Sequence, residues 1–501
     1  MNNKTVANAS IVTGLSIAER SLGFLYRIVL SRLLGAEGLG LYQIALTIFG
    51  FFAVFGTGGI PLTVSRTISK CKANGDRLGE RRAVAAGITA CLLLSLPFCI
   101  LLWVFGEKMT FLFSDSRAFG VFRILLIGLG FSCVYAVFRG HFWGNKQFLT
   151  PSVLEIAEES VMVIAGILLL KNVSSPAAGA EKAAWAVVIS YLFSFSASLL
   201  CFLFKGGKCS KPYGMLKPLF SQSLPITAVR ASGSLVNSAI AVLLPVMLMR
   251  AGADKGTAMQ LFGIVSGMVL PLLFIPSTVI GSIALVLVPE ISEDYYRGKK
   301  HRLQSNVERG LQLSFLISCF LIPFFYSLGQ DVGRLAFSNA TAGVMLMKSC
   351  AVLLPLSLTL ISTSILNAAG FEKQTFLFYF FGAAVLLVFI LLLPPICGAY
   401  AYLIGLGASY VVTACCNLFI LHKKGLLPEK KRGQARNQPL FIPLFAILPF
   451  SMLGKFCNGI FKHYFGAFFS VALTTAILCT STLLFYILAG YLPVKRRKKK
   501  S

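Results

Sequence analysis

Charge is what this sequence has least of. Only 13% of its 501 residues are Asp, Glu, Lys or Arg, against roughly 25% in soluble globular proteins. A soluble chain of this length would divide into two or three domains, each needing a charged shell. The charges for such shells are missing. The four histidines, His141, His301, His422 and His463, fall in predicted loops without metal-ligand spacing, which argues against a histidine metal centre. No GxxxxGK[ST] loop occurs, so nucleotide hydrolysis by a phosphate-binding loop is not expected. The longest polar segments, 66–82, 289–310 and 422–439, are too short for a folded catalytic domain outside a membrane.

What is present is apolar. Hydrophobic residues make up 56% of the chain, and the mean hydropathy is +0.79. Fourteen spans of about 20 residues would take about 280 positions, close to the whole hydrophobic share. Runs of spanning length lie at 10–33, 40–61, 83–105, 119–138, 153–170, 184–204, 222–249, 261–288, 311–328, 345–366, 376–393, 399–421, 440–458 and 467–491. The expected fold is an all-α polytopic membrane protein of about 14 transmembrane helices. Runs longer than a bilayer needs should tilt or kink, with Pro225, Pro245, Pro271 and Pro276 as the causes. The first run lacks the basic leader and cleavage site of a signal peptide and is expected to stay as a span. The thirteen cysteines are scattered through apolar runs, as small buried hydrophobes would be.

The net charge of +28 reads as topology rather than nucleic-acid binding, because cytoplasmic loops collect Lys and Arg. Alternate loops hold 31 basic residues, from Lys4 through Arg66–Arg82, Lys205–Lys217 and Arg297–Arg309 to the run Lys495–Lys500. The opposite loops hold 9, and six more lie in or at the ends of spans: Arg20, Arg27, Arg32, Arg123, Arg230 and Lys348. A bias that keeps phase over every crossing places both termini in the cytoplasm. The terminal Lys495–Lys500 run would anchor to anionic lipid.

A repeat is also visible. Gly35-Ala36-Glu37, ending at Gln43, recurs 217 positions later as Gly252-Ala253-Asp254, ending at Gln260. A weaker echo relates Gly144-Asn145-Lys146-Gln147 to Gly370-Phe371-Glu372-Lys373-Gln374. Six spans separate the copies, so the repeat is parallel. It predicts two six-helix lobes, 1–204 and 205–421, followed by a linker, two further helices and a basic tail over 422–501. Paired lobes of this kind are a transporter architecture, with substrate held between them near mid-bilayer.

An ionisable group at bilayer depth costs at least about 2.5–3.5 kcal/mol and so needs a cavity, a partner or an interface. Arg20 and Arg27 are seven residues apart, hence within about 20° of one helix face and about 10 Å apart along the axis. Arg230 enters the seventh span with Asn237 seven residues further on. These two spans open the two predicted lobes. A cavity lined by Arg20, Arg27, Arg230 and Asn237 would suit phosphate or diphosphate, since guanidinium makes charge-assisted, often bidentate contacts with such oxygens. The alternative is that the arginines pair with Glu19 or Glu159, or reach for the membrane face. In the fifth span Pro151, Glu155 and Glu158 suit helix N-terminus chemistry. Glu159 lies deeper and is the candidate for ion coupling or for pairing with an arginine. Arg123 and Lys348, near span ends, are expected to reach for the membrane face.

Several segments taken together resemble stage V sporulation protein B. They are Leu30-Ser31-Arg32-Leu33-Leu34-Gly35 with Gly40-Leu41-Tyr42-Gln43, Gly59-Ile60-Pro61, and Phe138-Arg139-Gly140-His141-Phe142-Trp143-Gly144 with Pro151 and Glu159. Ser223-Leu224-Pro225 with Arg230 and Leu287-Val288-Pro289-Glu290-Ile291-Ser292-Glu293 complete the set. That family belongs to the multidrug/oligosaccharidyl-lipid/polysaccharide exporter superfamily, so the resemblance implies a MATE-like pair of lobes. It further implies flipping of undecaprenyl-diphosphate-linked sugars, foremost the peptidoglycan precursor lipid II, in the bacterial cytoplasmic membrane and in spore cortex or cell-wall synthesis. Arg20-Ser21-Leu22-Gly23-Phe24 is similar to the first span of cell-wall lipid II flippases, whose next arginine aligns with Tyr26, one position before Arg27. The implied partners are the lipid-linked sugar, membrane lipid and cell-wall synthesis enzymes. No nucleic acid, cofactor or metal is implied, and the chain is expected to act as a monomer. Alternatives are export of another lipid-linked polysaccharide unit, or multidrug/cation antiport, which would call for buried acids rather than arginines.

Overall fold

Lipid offers no partner for backbone N–H and C=O groups, so each apolar run must close its own hydrogen bonds as a helix. The computed structural model describes residues 3–105, 110, 113–428 and 441–491, and it holds helices and no strand among them. Twelve described helical stretches are long and apolar enough to cross a membrane. The stretch Gly14–Ala73 contains the first two predicted spans. The fifth predicted span is helical as well, but its three glutamates keep it outside those twelve. The fourteen predicted crossings are thereby accounted for. The basic tail from Lys495 and most of the 422–439 linker lie outside the described residues.

The chain forms two compact units, Met1–Gly267 and Met268–Ser501. The first comprises α1 (Asn3–Thr57), α2 (Ile60–Ala73), α3 (Arg77–Val104), α4 (Arg117–Gly144), α5 (Leu149–Leu169), α6 (Pro176–Phe204), α7 (Leu216–Arg250) and α8 (Lys255–Gly263). It therefore takes in α7 and α8, the helices that follow residue 204. A straight helix as long as α1 would reach about 80 Å, far beyond a hydrocarbon layer of about 30 Å. Gly35 interrupts it with φ 67° and ψ 178°, a conformation that a Cβ would strain. Its repeat partner Gly252 also has positive φ, 100°. The two copies thus share a backbone requirement.

Past the glycine their chemistry diverges. Glu37 pairs with Arg117 at 2.7 Å, and Arg117 also binds Asp115 at 2.7 Å. Burial pushes the Asp115 carboxyl up, but the hydrogen bonds and charge of Arg117 outweigh it and hold the group below its ordinary value. Asp254 instead caps α8, accepting from the Thr257 amide at 3.1 Å. In the weaker echo the left-handed residue is Lys146 in one copy and Gly370 in the other. Gly144 therefore ends a helix and does not form the turn.

Close helix contacts organise this unit. A Cβ on Gly40 would strike the Met259 carbonyl, and one on Gly263 the Ala36 carbonyl, so α1 and α8 approach backbone to backbone. Gly59, between α1 and α2, lies against Ser223 of α7 and donates its amide to Thr227 Oγ1 at 3.0 Å.

From α8 the chain passes through a π-helical turn, Ile264–Val269, to α9 (Leu270–Leu273) and α10 (Ile275–Tyr296). Pro271 and Pro276 sit at the starts of α9 and α10, where a missing N–H costs nothing. The eighth span is accordingly broken as expected. Pro225 and Pro245 lie inside α7, whose helix continues past both.

The second unit continues with α11 (Lys300–Phe337), α12 (Ala340–Ser349), α13 (Leu353–Ala368), α14 (Glu372–Leu392), α15 (Pro394–Cys397), α16 (Tyr400–Lys423), α17 (Phe441–Tyr464) and α18 (Ala467–Leu488). Ile280, Ile291, Val307, Ile361 and Leu421 form a buried apolar cluster joining α10, α11, α13 and α16. The last two helices are fastened to α11 by polar groups. Asp331 accepts from Asn458 Nδ2 at 2.6 Å and Lys462 Nζ at 2.5 Å, and Ser470 donates to Asn458 Oδ1 at 2.7 Å. Tyr486 also donates to the Leu316 carbonyl, at 3.3 Å.

The cysteines are free. Cys71, Cys91, Cys133, Cys319 and Cys350 are buried as expected, whereas Cys209 and Cys415 are exposed. Arg123 lies over the Trp103 ring at 4.1 Å and Lys348 over Tyr400 at 5.2 Å. Each of these cations is satisfied by an aromatic face.

Gly40→Val should destabilise the protein by about 1–3 kcal/mol through overpacking, read as a lower thermal midpoint in detergent. Asp331→Ala, which strips Asn458 and Lys462 of their shared acceptor, should cost about 1–3 kcal/mol and increase proteolysis between α16 and α17.

Candidate functional site

Within the spans of the first unit, α1, α4 and α5 carry a group of ionisable side chains: Glu19, Arg20, Arg27, Arg139, Glu155, Glu158 and Glu159. On α1, residues 20, 23 and 27 are spaced three and four apart, so they share one helix face. Arg20 and Arg27 are both exposed on the unit, and neither forms an ion pair among the described residues. The alternative, in which Arg20 pairs with Glu19 or Glu159, finds no ion pair among the described residues. Glu159 rests instead against Gly23, between the two arginines: a Cβ at Gly23 would lie 2.8 Å from Glu159 Oε1. Glu159 is within electrostatic reach of Arg27 and Glu19. Arg230 and Asn237 are exposed on α7, and no hydrogen bond or ion pair joins either to Arg20 or Arg27 among the described residues.

Further along α5 the structure adds groups that spacing alone did not single out. Glu155 pairs with Arg139 of α4 at 3.2 Å, and Arg139 also lies 5.1 Å from the Trp143 ring centre. Glu155 thus has a structural partner as well as a place near the helix start. Glu158 has no cation within ion-pair distance among the described residues, and Ser194 of α6, Arg139, Glu155 and Glu159 are its electrostatic neighbours. Two deeply buried tyrosines face this region with hydroxyls that have no hydrogen-bond partner, Tyr26 and Tyr135, 3% and 6% exposed. Tyr26 packs its ring end against Gly166 of α5.

The signal for this cluster was present in the sequence as acids at i, i+3 and i+4 on α5. Which of them lacked a partner was not readable there, because Arg139 is 16 residues from Glu155 and the hydroxyls come from other helices. In the second unit, α17 and α18 flank an open, shallow apolar cleft of about 430 Å³ lined by Ile442, Phe445, Ala446, Pro449, Phe450 and Phe485. It suits a hydrocarbon chain.

These features define a polytopic helical membrane protein of transporter type, and solved structures agree on the fold. A structure of the lipid II flippase MurJ in an inward-closed conformation matches with a TM-score of 0.70 at 15% identity, covering 95% of this chain and 99% of that one. An inward-facing multidrug resistance MATE family transporter of the MOP superfamily matches with a TM-score of 0.67 at 15% identity, covering 81% and 94%. The model of the polysaccharide biosynthesis protein family matches residues 5–294; the chain belongs to that family. Stage V sporulation protein B of Bacillus subtilis (strain 168) is 26% identical over 67% of this chain and 67% of its own length. Lipid II flippase MurJ of the same organism is 22% identical over 98% and 96%. The curated relatives are thus a sporulation protein and a lipid II flippase, and the family shown for this chain is that of polysaccharide biosynthesis proteins.

The pair between Arg139 and Glu155 can be tested by a double-mutant cycle. Arg139→Gln alone leaves a carboxylate without its cation and should cost about 1.5–3 kcal/mol of stability. Adding Glu155→Gln should restore most of the loss, as read by thermal unfolding in detergent.

Proposed function

We propose that this protein flips an undecaprenyl-diphosphate-linked sugar, the peptidoglycan precursor lipid II, across the bacterial cytoplasmic membrane by alternating access. Spore cortex or cell-wall synthesis is the process it serves. The reading is carried by one observation: two guanidinium groups on one face of the first span without an acid within ion-pair distance. An arginine at such depth is expensive unless water or an anionic ligand meets it. A diphosphate supplies what the protein withholds, several charged oxygens in a geometry that guanidinium matches. In this reading Arg20, Arg27, Arg230 and Asn237 bind the head group in a cavity open first to the cytoplasm. The polyprenyl tail stays in lipid, with the apolar cleft of α17 and α18 as a bed for it.

Glu159, packed on Gly23, sits between the two arginines of α1 as their internal counter-charge. It would hold them in place between substrates and yield to phosphate when the head group arrives. Binding must differ between inward and outward states to move the equilibrium. Both termini lie in the cytoplasm, the chain works as a monomer, and the enzymes that make and consume the lipid-linked sugar are its neighbours. Cationic drugs would need acids where the arginines stand, which disfavours multidrug antiport.

In proteoliposomes, Arg27→Ala and Arg230→Ala should each slow lipid II flipping at least about tenfold, the equivalent of one charge-assisted contact of about 1.4 kcal/mol or more. Native mass spectrometry against lipid II, undecaprenyl phosphate and cationic drugs should show lipid II retained most strongly. Wild-type flipping in both variants, or preferential retention of the drugs, overturns the reading.

A further inference from the structure

Where α2, α4 and α6 end, the first unit carries charge that the chain leaves unbalanced. The connecting segments 66–82, 145–148 and 205–217 hold eleven basic residues and two acids. Their counterparts in the second unit, 290–309, 370–374 and 422–428, hold eight and five. The bias of cytoplasmic loops toward Lys and Arg acts on both units alike, so it does not account for the difference. In the second unit two of the arginines are answered by carboxylates: Arg297 pairs with Glu293 at 2.8 Å, and Arg302 lies 3.4 Å from Asp294. In the first unit two lysines are held in place as well, but by neutral groups.

Lys72, at the end of α2, donates from Nζ to Asn145 Oδ1 at 3.0 Å. Lys205, just past the end of α6, donates to Gln147 Oε1 at 3.1 Å and to Thr150 Oγ1 at 2.6 Å. Its ammonium also lies 5.1 Å from the Phe142 ring centre. An ammonium has three hydrogens to give, so two remain on Lys72 and one on Lys205. Amide and hydroxyl oxygens fix these amines without cancelling their charge. Both amines meet the short turn from α4 to α5, and inside that turn stands a third lysine. Lys146 is exposed and has φ 59°, a left-handed conformation that a Cβ strains. The left-handed residue in the second copy of this turn is Gly370. A lysine kept where glycine sits without strain points to a use for its charge. None of the three lysines forms an ion pair among the described residues.

The surroundings decide which anion is at hand. Since α4 and α6 cross the membrane, their ends lie at the level of lipid head groups. Aromatic side chains flank the lysines and stand open: Phe148 near Lys146, Phe204 beside Lys205 at 87% exposure, and Tyr213 further along at 83%. An acidic protein surface has no need of such a fringe. A leaflet has, because rings enter the acyl boundary while ammonium groups meet phosphate. We infer that Lys72, Lys146 and Lys205 form a binding site for the phosphate of an anionic phospholipid in the leaflet around the first unit, with Phe148 and Phe204 against its acyl chains. One lipid bound there bridges the ends of α2, α4 and α6 and favours membranes rich in anionic lipid. The site does not rest on the flippase reading.

Native mass spectrometry of the purified full-length protein, with phosphatidylglycerol and phosphatidylcholine supplied together, tests the site. The wild type should retain phosphatidylglycerol over phosphatidylcholine, and less of it as ionic strength rises. Each single Lys→Gln change should lower that retention about fivefold, the effect of one cation near an anionic surface. Lys72→Gln, Lys146→Gln and Lys205→Gln combined should abolish the preference, and arginine at the three positions should keep it. Lys146→Gly separates binding from folding: the thermal midpoint should stay equal or rise as the strain is relieved, while retention falls as in Lys146→Gln. As a control, Lys299→Gln, Lys373→Gln and Lys423→Gln remove as much charge from the second unit and should leave the preference intact. Equal retention of the two lipids by the wild type, an unchanged preference in the combined variant, or the same loss in the second-unit control overturns the site. Retention of lipid II through these lysines in place of phosphatidylglycerol overturns phospholipid as the ligand.

Discussion

The cost of placing charge in hydrocarbon governs everything distinctive about this chain. Helices are obligatory because backbone groups have no solvent to turn to, but that applies to every membrane protein of this kind. What sets this one apart is the α1–α5 seam, where acids and arginines alternate at depth and each needs an answer. Glu155 has Arg139, Arg123 has the Trp103 ring and Lys348 the Tyr400 ring. Arg20 and Arg27 are left exposed on one face of α1.

Glycines make that seam possible. At Gly23 the missing side chain is the space into which the Glu159 carboxylate fits, and at Gly166 the same absence admits the Tyr26 ring. At Gly40 and Gly263 it lets α1 and α8 meet through their backbones. In lipid no hydrophobic force draws one helix to another, so close approach of small residues and interhelical hydrogen bonds carry association. The Gly59 amide donating to Thr227, and the Asp331–Asn458–Ser470 chain that fastens α17 and α18, belong to the second kind.

The proposed substrate fits this division of labour. A lipid-linked saccharide has a charged diphosphate and a long apolar tail, and this chain has guanidiniums on the first span and an apolar cleft between the last two helices. A fold shared with drug transporters says little about cargo.

Spans, the repeat and the positions of embedded charge were legible in the sequence because each depends on residues close together in the chain. A run of apolar residues is a helix wherever it lies in lipid, and Gly35 and Gly252 proved to share a positive φ as their common motif implied. The same local logic misled where partners came from elsewhere. Glu155 and Glu158 suited the start of a helix, and nothing nearby in sequence showed that one would meet Arg139 and the other no cation at all. In the weaker echo the left-handed position is Lys146 in one copy and Gly370 in the other, which the matched residues did not reveal. Local periodicity and composition determine which segments cross and what they carry. Only the packing of α1, α4, α5 and α6 decides which charges are neutralised, because an ion pair is a matter of a few ångströms between groups that the chain itself keeps far apart.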